Sequence, residues 1–139
     1  MKLLVINGVN LALTGKRERG VYGSETLETI NAELRARFER RAELDFYQSD
    51  LEGELVRAIH GAEGNYDGII LNAGAYTHYS YALRDAIAAI AVPVVEVHMS
   101  NVYAREEFRK KSVLTEVCKG EILGFGKQSY VLAAESFLL

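Results

Sequence analysis

The sequence predicts an α/β fold in which helices cover both faces of a parallel β-sheet. Runs rich in Val, Ile and Leu alternate with longer amphipathic segments, which is typical of repeated βα units. Three of these runs are almost continuously apolar, as strands buried on both faces should be: residues 2–7, 67–71 and 93–98. The composition, 49% hydrophobic and 25% charged residues in a chain of 139, fits one globular domain spanning residues 1–139.

Five strands and four or five helices are predicted in alternating order. The strands cover Lys2 to Asn7, Glu43 to Gln48, Asp67 to Leu71, Pro93 to His98 and about Gly120 to Phe125. Apolar residues at helical spacing predict helices from Leu27 to Phe38, Leu51 to Ala62, Ala82 to Ile90 and about Lys127 to Phe137. This order predicts a flavodoxin-like, doubly wound sheet in three layers with strand order 2-1-3-4-5. Such sheets bind ligands outside the carboxyl ends of their strands.

Charge and composition exclude several classes of function. The formal net charge of −3 gives no basic footprint, which argues against a nucleic-acid partner. The single Cys118 excludes an internal disulfide, and the three histidines lie too far apart for zinc-ligand spacing, so no metal site is predicted. Because no stretch approaches about 18 apolar residues, we expect no membrane segment and a cytoplasmic location.

The fourth predicted strand ends in VEVHMSN, which carries the first candidate catalytic pair. Strand side chains alternate in direction, so Glu96 and His98 share one face. Imidazole can give or take a proton near neutral pH, and a neighbouring carboxylate can fix its tautomer. An isolated histidine is more often structural. The position of His98 at a strand end beside a carboxylate favours an acid–base role.

The connection after the first strand, from Gly8 to about Glu25, is much longer than the usual 2 to 6 residues and indicates a lid. It contains Arg17 and Tyr22. A phenol ionises near pH 10, so Tyr22 can act as a base at neutral pH only if a cation stabilises its phenolate. Arg17 is a suitable cation. The alternative is an exposed arginine and a tyrosine that merely anchors the loop.

Further polar groups follow the same strand ends. Asn10 and Asn72 offer neutral amides, although each could equally cap a turn. The backbone N–H groups of Met99 and Ser100 could hold a carboxylate or an oxyanion near the start of a short helix. No G-x-G-x-x-G, P-loop or G-x-S-x-G pattern occurs, which argues against dinucleotide, ATP and serine-hydrolase sites.

Two arginines in the segment AREEFR are candidate anion ligands. Arg105 and Arg109 are four residues apart, so on a helix they would share one face. The alternative is ordinary surface pairing with Glu106 and Glu107.

Several motifs in this order resemble the type II 3-dehydroquinate dehydratase family: INGVNL, GKRE and VYG, LNAGAYTH with ALRDA, and EVHMSN with AREEFR. The resemblance implies a flavodoxin-like, cofactor-free and metal-free lyase of the shikimate and quinate pathways. Its small-molecule substrate would be 3-dehydroquinate, which is dehydrated to 3-dehydroshikimate by anti elimination through an enolate. The resemblance also implies a homo-oligomer, a dodecamer built from trimers.

The same resemblance implies residue roles. Tyr22 would remove the proton next to the ketone, with Arg17 keeping it ionised, and His98, oriented by Glu96, would protonate the departing hydroxyl. Asn10 would hold the enolate through an ordered water. The substrate contacts would come from Asn72, His78, Met99, Ser100 and Arg109, with Arg105 nearby and Asp85 reaching a neighbouring subunit's site.

Two departures from the family pattern keep other functions open. Val9 replaces a proline and Ala12 an asparagine of the first motif, and the loss of proline frees the backbone at the base of the lid. A catalytically weakened homologue is therefore one alternative. A flavodoxin-like module that binds a small anion without chemistry is the other.

Overall fold

A computed structural model describes residues 1–16, 20 and 24–139. Within this part of the chain, five parallel strands form one sheet in the order β2-β1-β3-β4-β5: β1 Lys2–Asn7, β2 Glu43–Gln48, β3 Gly68–Asn72, β4 Val94–His98 and β5 Gly120–Leu123. The α-helices are α1 Leu27–Phe38, α2 Glu52–Gly61, α3 Tyr81–Ala89 and α4 Gln128–Leu138. The predicted flavodoxin-like, doubly wound fold is confirmed.

The helices form an outer layer on each face of the sheet. Alternate residues of β1 enter different cores: Leu3 and Val5 pack with α1 and α4, whereas Leu4 and Ile6 pack with α2 and α3. This explains why the sequences of β1, β3 and β4 are almost continuously apolar. None of the helices in residues 1–16, 20 and 24–139 is both long and apolar enough to cross a bilayer.

Side-chain caps fix where two helices begin. The hydroxyl of Thr26 accepts a hydrogen bond from the N–H of Thr29 at 3.2 Å and starts α1. Ser80 accepts from the N–H of Leu83 at 3.0 Å and starts α3. Each such cap stabilises a helix by about 1 kcal/mol.

Strand register brings the polar strand ends together. Asn7 of β1 is paired with Asn72 of β3, and Glu96 of β4 with Glu121 of β5. The chain leaves β1 through Gly8, where a β-carbon would lie 2.5 Å from the carbonyl oxygen of Ala73. Only glycine lets the two backbones approach this closely. The carboxyl ends of β1, β3 and β4 consequently open onto one cleft.

Two local predictions differ from the structure. The fifth strand ends at Leu123 rather than near Phe125, because Gly124 has φ 94°, outside the strand region. The segment AREEFR is not one helix: two 3₁₀ turns, Val102–Ala104 and Glu107–Lys110, are separated by Arg105 and Glu106 in extended conformations. Arg105 and Arg109 therefore do not share a helix face.

Candidate active site

A pocket opens at the carboxyl ends of β1, β3 and β4, where the sheet topology predicts a ligand site. Most of the candidate residues that the structure describes line it: Asn10, Asn72, His78, His98, Met99, Ser100, Arg105 and Arg109. Glu96 is buried behind this wall, and Asp85 lies on α3, away from it. Arg17 and Tyr22 fall outside the described residues.

A short hydrogen bond joins the imidazole of His98 to Glu96. Nε2 of His98 lies 2.5 Å from Oε2 of Glu96, and Glu96 is completely buried. Burial alone would raise the pKa of this carboxyl, but the hydrogen bond and the charge interaction with His98 outweigh it and lower the pKa to about 2. Glu96 is therefore an ionised carboxylate throughout the physiological range.

Three hydroxyl groups complete the environment of Glu96. Thr77 donates to Oε2 at 2.7 Å, and Thr115 and Ser112 donate to Oε1 at 2.6 and 3.0 Å. A buried carboxylate is stable only when its lone pairs are filled by donors. These residues hold Glu96, and through it the ring of His98, in one orientation.

This geometry decides which nitrogen of His98 can act on a ligand. Because Nε2 donates to Glu96, Nδ1 is the ring nitrogen left for the pocket that His98 lines. In the neutral ring, Nδ1 would carry a lone pair and could only accept a proton. His98 can donate a proton to a ligand only as the imidazolium, whose positive charge the Glu96 carboxylate stabilises.

A second carboxylate, Glu121, stands beside the same imidazole. Its Oε2 lies 3.6 Å from Nε2 of His98. Burial and the negative charge of Glu96 raise the pKa of Glu121 to about 7. Within the described ranges, the potential ligand atoms of Glu96, His98 and Glu121 lie within 4.8 Å of one another, close enough for one metal ion. Hydroxyls and the imidazole already occupy the Glu96 oxygens, so we interpret the group as a hydrogen-bonded cluster.

His78 is a second imidazole that lines the pocket, and its hydrogen bonding differs from that of His98. Its Nδ1 donates to the carbonyl oxygen of Lys111 at 2.7 Å, and its ring packs against the edge of Phe108, with 5.9 Å between centroids. Burial lowers the pKa of His78, which favours the neutral ring. Nε2 is then an acceptor, suited to a ligand hydroxyl rather than to a carboxylate.

The two arginines supply positive charge along one wall. Arg105 donates to the hydroxyl of Ser100 at 3.4 Å. Arg109 pairs with Glu106 at 3.1 Å, and its guanidinium stacks 4.7 Å from the ring centroid of Phe108. Arg109 thus lines the pocket and also makes the surface pair with Glu106, and its role as an anion ligand stays a prediction. The wall suits an anionic ligand.

Asn10 occupies a turn at the edge of the pocket. Its backbone adopts φ 67°, and its N–H donates to the carboxylate of Asp50 at 2.9 Å. Asparagine tolerates this left-handed conformation better than most residues. Asn10 is one of the residues that line the pocket, and its backbone is anchored by this contact.

Asn72 belongs to a buried polar network that the sequence did not suggest. Its side-chain amide donates to the hydroxyl of Tyr130 at 2.9 Å, and that hydroxyl donates to the side-chain oxygen of Asn7 at 2.5 Å. The side-chain oxygen of Asn72 accepts from the N–H of Gly74 at 3.2 Å. Tyr130 comes from α4, more than 50 residues away along the chain, where its helical spacing indicates only core packing. The buried hydroxyl of Tyr130, hydrogen-bonded to the amides of Asn7 and Asn72, holds Asn72 in place in the wall of the pocket.

Comparisons with known proteins agree with this geometry. A family model described as Dehydroquinase class II matches residues 1–138. A 3-dehydroquinate dehydratase of Pelodictyon phaeoclathratiforme is 56% identical over 140 residues, covering 99% of this chain and 92% of that protein. One from Bacillus pumilus is 57% identical over 132 residues, covering 94% and 89%. The crystal structure of a type II dehydroquinase from Butyrivibrio crossotus matches with a TM-score of 0.98 and 44% identity, covering 100% of this chain and 98% of that one. The resemblance found in the ordered motifs is thus confirmed, and the chain belongs to the class II dehydroquinase family.

Proposed function

We propose that this chain is a lyase that dehydrates 3-dehydroquinate to 3-dehydroshikimate by anti elimination through an enolate, a step of the shikimate and quinate pathways. One observation carries the proposal: in a member of this family, the imidazole of His98 lines the pocket and is held by the buried, ionised carboxylate of Glu96. An elimination that expels hydroxide needs such a proton donor.

His98 acts as the general acid of the reaction. The departing hydroxyl of the substrate takes a proton from Nδ1 and leaves as water, and Glu96 stabilises the imidazolium before the transfer. Support comes from the Nε2 hydrogen bond, which leaves only Nδ1 for the pocket. The three hydroxyls on Glu96 support its role as an orienting group.

Tyr22 acts as the general base, and Arg17 keeps its phenolate ionised. Both residues lie outside the described part of the chain, and their roles rest on the GKRE and VYG motifs of the family. Tyr22 removes the proton from the carbon next to the ketone, and the resulting enolate is held by Asn10 through an ordered water. Asn10 lines the pocket and belongs to the same connection, residues 8–25, that carries both residues in the sequence.

The remaining pocket residues bind the substrate. Its carboxylate contacts Ser100 and the backbone at Met99, with Arg109 and the nearby Arg105 supplying positive charge. Its ring hydroxyls meet Asn72 and the acceptor nitrogen of His78. We propose that no cofactor or metal ion takes part, since the elimination requires only an acid, a base and enolate stabilisation.

We further propose that the chain is a single catalytic domain that works in the cytoplasm as a dodecamer built from trimers. In this assembly Asp85 reaches the site of a neighbouring subunit. Two exposed aromatic residues at the start of the Asp85 helix, Tyr79 at 58% and Tyr81 at 68% exposure, support a subunit contact there. Apolar residues this exposed are typical of interaction surfaces when they cluster.

The test is the rise in ultraviolet absorbance as 3-dehydroquinate becomes a conjugated enone. We expect turnover by the wild-type protein and a loss of at least about 100-fold in rate for Tyr22→Phe and for His98→Ala, the usual scale for a general acid or base. No absorbance change with well-folded protein would refute the proposed function. Near-normal rates in either variant would show that the wrong group was assigned.

A further inference from the structure

We infer that Glu121 is a positioning residue of the acid catalyst: its carboxylate is a second negative charge beside the imidazole of His98 and, together with Glu96, stabilises the imidazolium. This inference rests on the proposed function, since it concerns the proton that His98 delivers to the departing hydroxyl.

Sheet register places Glu121 at this position. Glu121 of β5 is the register partner of Glu96 of β4, so both side chains leave the same face of neighbouring strands. Its Oε2 lies 3.6 Å from Nε2 of His98 and 3.4 Å from the hydroxyl of Thr115, and only 17% of its side chain is exposed. A long acidic side chain on a surface strand would normally turn to solvent.

Thr115 lies between the two carboxylates. Its hydroxyl donates to Oε1 of Glu96 at 2.6 Å and, over a longer contact of 3.4 Å, to Oε2 of Glu121. A hydroxyl has one proton, and the shorter contact favours Glu96. Glu121 therefore receives little stabilisation of its charge from Thr115, in keeping with its raised pKa.

The surrounding groups leave Glu121 as the carboxyl that titrates near neutral pH. Burial and Glu96 raise its pKa to about 7, whereas the pKa of Glu96 stays at about 2. Burial raises the pKa of the Cys118 thiol to about 12, so this neighbour is uncharged. On the α4 side, Glu135 forms an ion pair with Arg41 at 2.6 Å.

The pocket that His98 lines also carries positive charge. Arg105 and Arg109 line it with permanent positive charge, whereas burial lowers the pKa of His78 and favours its neutral ring. A nearby positive charge disfavours an imidazolium, and a nearby carboxylate favours it. The carboxylate of Glu121, 3.6 Å from Nε2 of His98, therefore adds to Glu96 in stabilising the imidazolium.

The experiment compares the pH profile of kcat for the wild-type protein, Glu121→Gln and Glu116→Gln. Glutamine has the shape of a protonated glutamic acid, but it cannot ionise. Glu116 is the matched control, because it lies in the connection that leads into β5, pairs with Arg84 at 3.2 Å and has an 80% exposed side chain.

We expect the alkaline limb of the Glu121→Gln profile to move to lower pH by at least about 0.5 unit, which is about a threefold lower rate on that limb. The acid limb and the plateau should stay within about twofold, and Glu116→Gln should follow the wild type. Superimposed profiles of wild type and Glu121→Gln overturn the inference. A uniformly lowered rate with no shift of the limb also overturns it, since that is the signature of a merely structural role.

A second measurement needs neither a variant nor a substrate. A carbon-13 NMR titration of the wild-type glutamate carboxyls should show one group titrating between about pH 6 and 8, with the His98 ring signals responding over the same interval. If every glutamate titrates below about pH 5.5, the inference fails. Absence of turnover in the wild-type protein refutes the proposed function and this role with it, whereas normal turnover with superimposed profiles refutes the role alone.

Discussion

Replacing Glu96 by glutamine tests how much of the acid catalysis depends on one buried charge. The environment of Glu96 lowers its pKa from 4.5 to about 2, even though burial acts in the opposite direction. A shift of this size corresponds to roughly 3 kcal/mol of preference for the ionised form. Much of that preference comes from His98, whose Nε2 lies 2.5 Å away. If the imidazolium loses a comparable stabilisation, kcat should fall by about 100-fold.

The substitution also disturbs the hydrogen bonds of Thr77, Ser112 and Thr115. An amide offers one acceptor oxygen to groups that now bind two, so part of the network is left unpaired. We expect a lower free energy of unfolding by about 1 to 3 kcal/mol, measured by urea denaturation. The enone absorbance assay gives kcat and KM on the same samples, and Glu116→Gln serves as the exposed control.

The two readouts separate a catalytic from a structural contribution. KM should change little, because Glu96 lies behind the pocket wall and does not contact the substrate. A folded Glu96→Gln protein with kcat within about threefold of the wild type would refute the reasoning, because the charge on Glu96 would then be irrelevant to proton donation.

Three further predictions follow from the same contacts. Tyr130→Phe removes the hydroxyl between Asn7 and Asn72 and should lower the free energy of unfolding by about 1 to 3 kcal/mol in urea denaturation; a change below about 0.5 kcal/mol would mean that the network is not stabilising. His78→Ala should raise KM by about tenfold with a smaller change in kcat, because it removes one hydrogen bond to a substrate hydroxyl; a larger loss in kcat than in binding would contradict this role. Because its pKa is raised to about 7, Glu121 holds a proton in the folded protein between pH 4.5 and about 7 that it loses in the unfolded chain. The contribution of Glu121 to the free energy of unfolding should therefore fall by about 1 to 2 kcal/mol as the pH rises through that window, after allowance for partial exposure, and Glu121→Gln should not show this loss.

The strands and most pocket residues could be predicted because each depends on a local pattern. Continuous apolar runs mark strands buried on both faces, and the polar residues that follow β1, β3 and β4 meet because parallel strands end at one edge of the sheet. The end of β5 was placed too late because glycine conformations, such as φ 94° at Gly124, leave no periodic signal. The prediction that Arg105 and Arg109 share a helix face was wrong, because spacing alone cannot show the extended backbone of Arg105 and Glu106.

The supporting groups were missed for a different reason. Thr77, Ser112 and Thr115 reach Glu96 from two separate connections, and Tyr130 reaches Asn72 from the last helix. No spacing rule links residues that far apart in the chain. Glu121 could have been found from the sequence, since an acidic residue within a predicted strand is unusual, but its partner depends on the register with Glu96.

A crystal structure with a non-reactive ring analogue of the substrate tests the central claim most directly. We predict that Nδ1 of His98 lies about 2.6 to 3.2 Å from the oxygen that corresponds to the departing hydroxyl, and that the phenol of Tyr22 faces the opposite side of the ring with Arg17 beside it. Finding both side chains on the same face of the ring, or Nδ1 turned away from the ligand, would contradict an anti elimination by this pair.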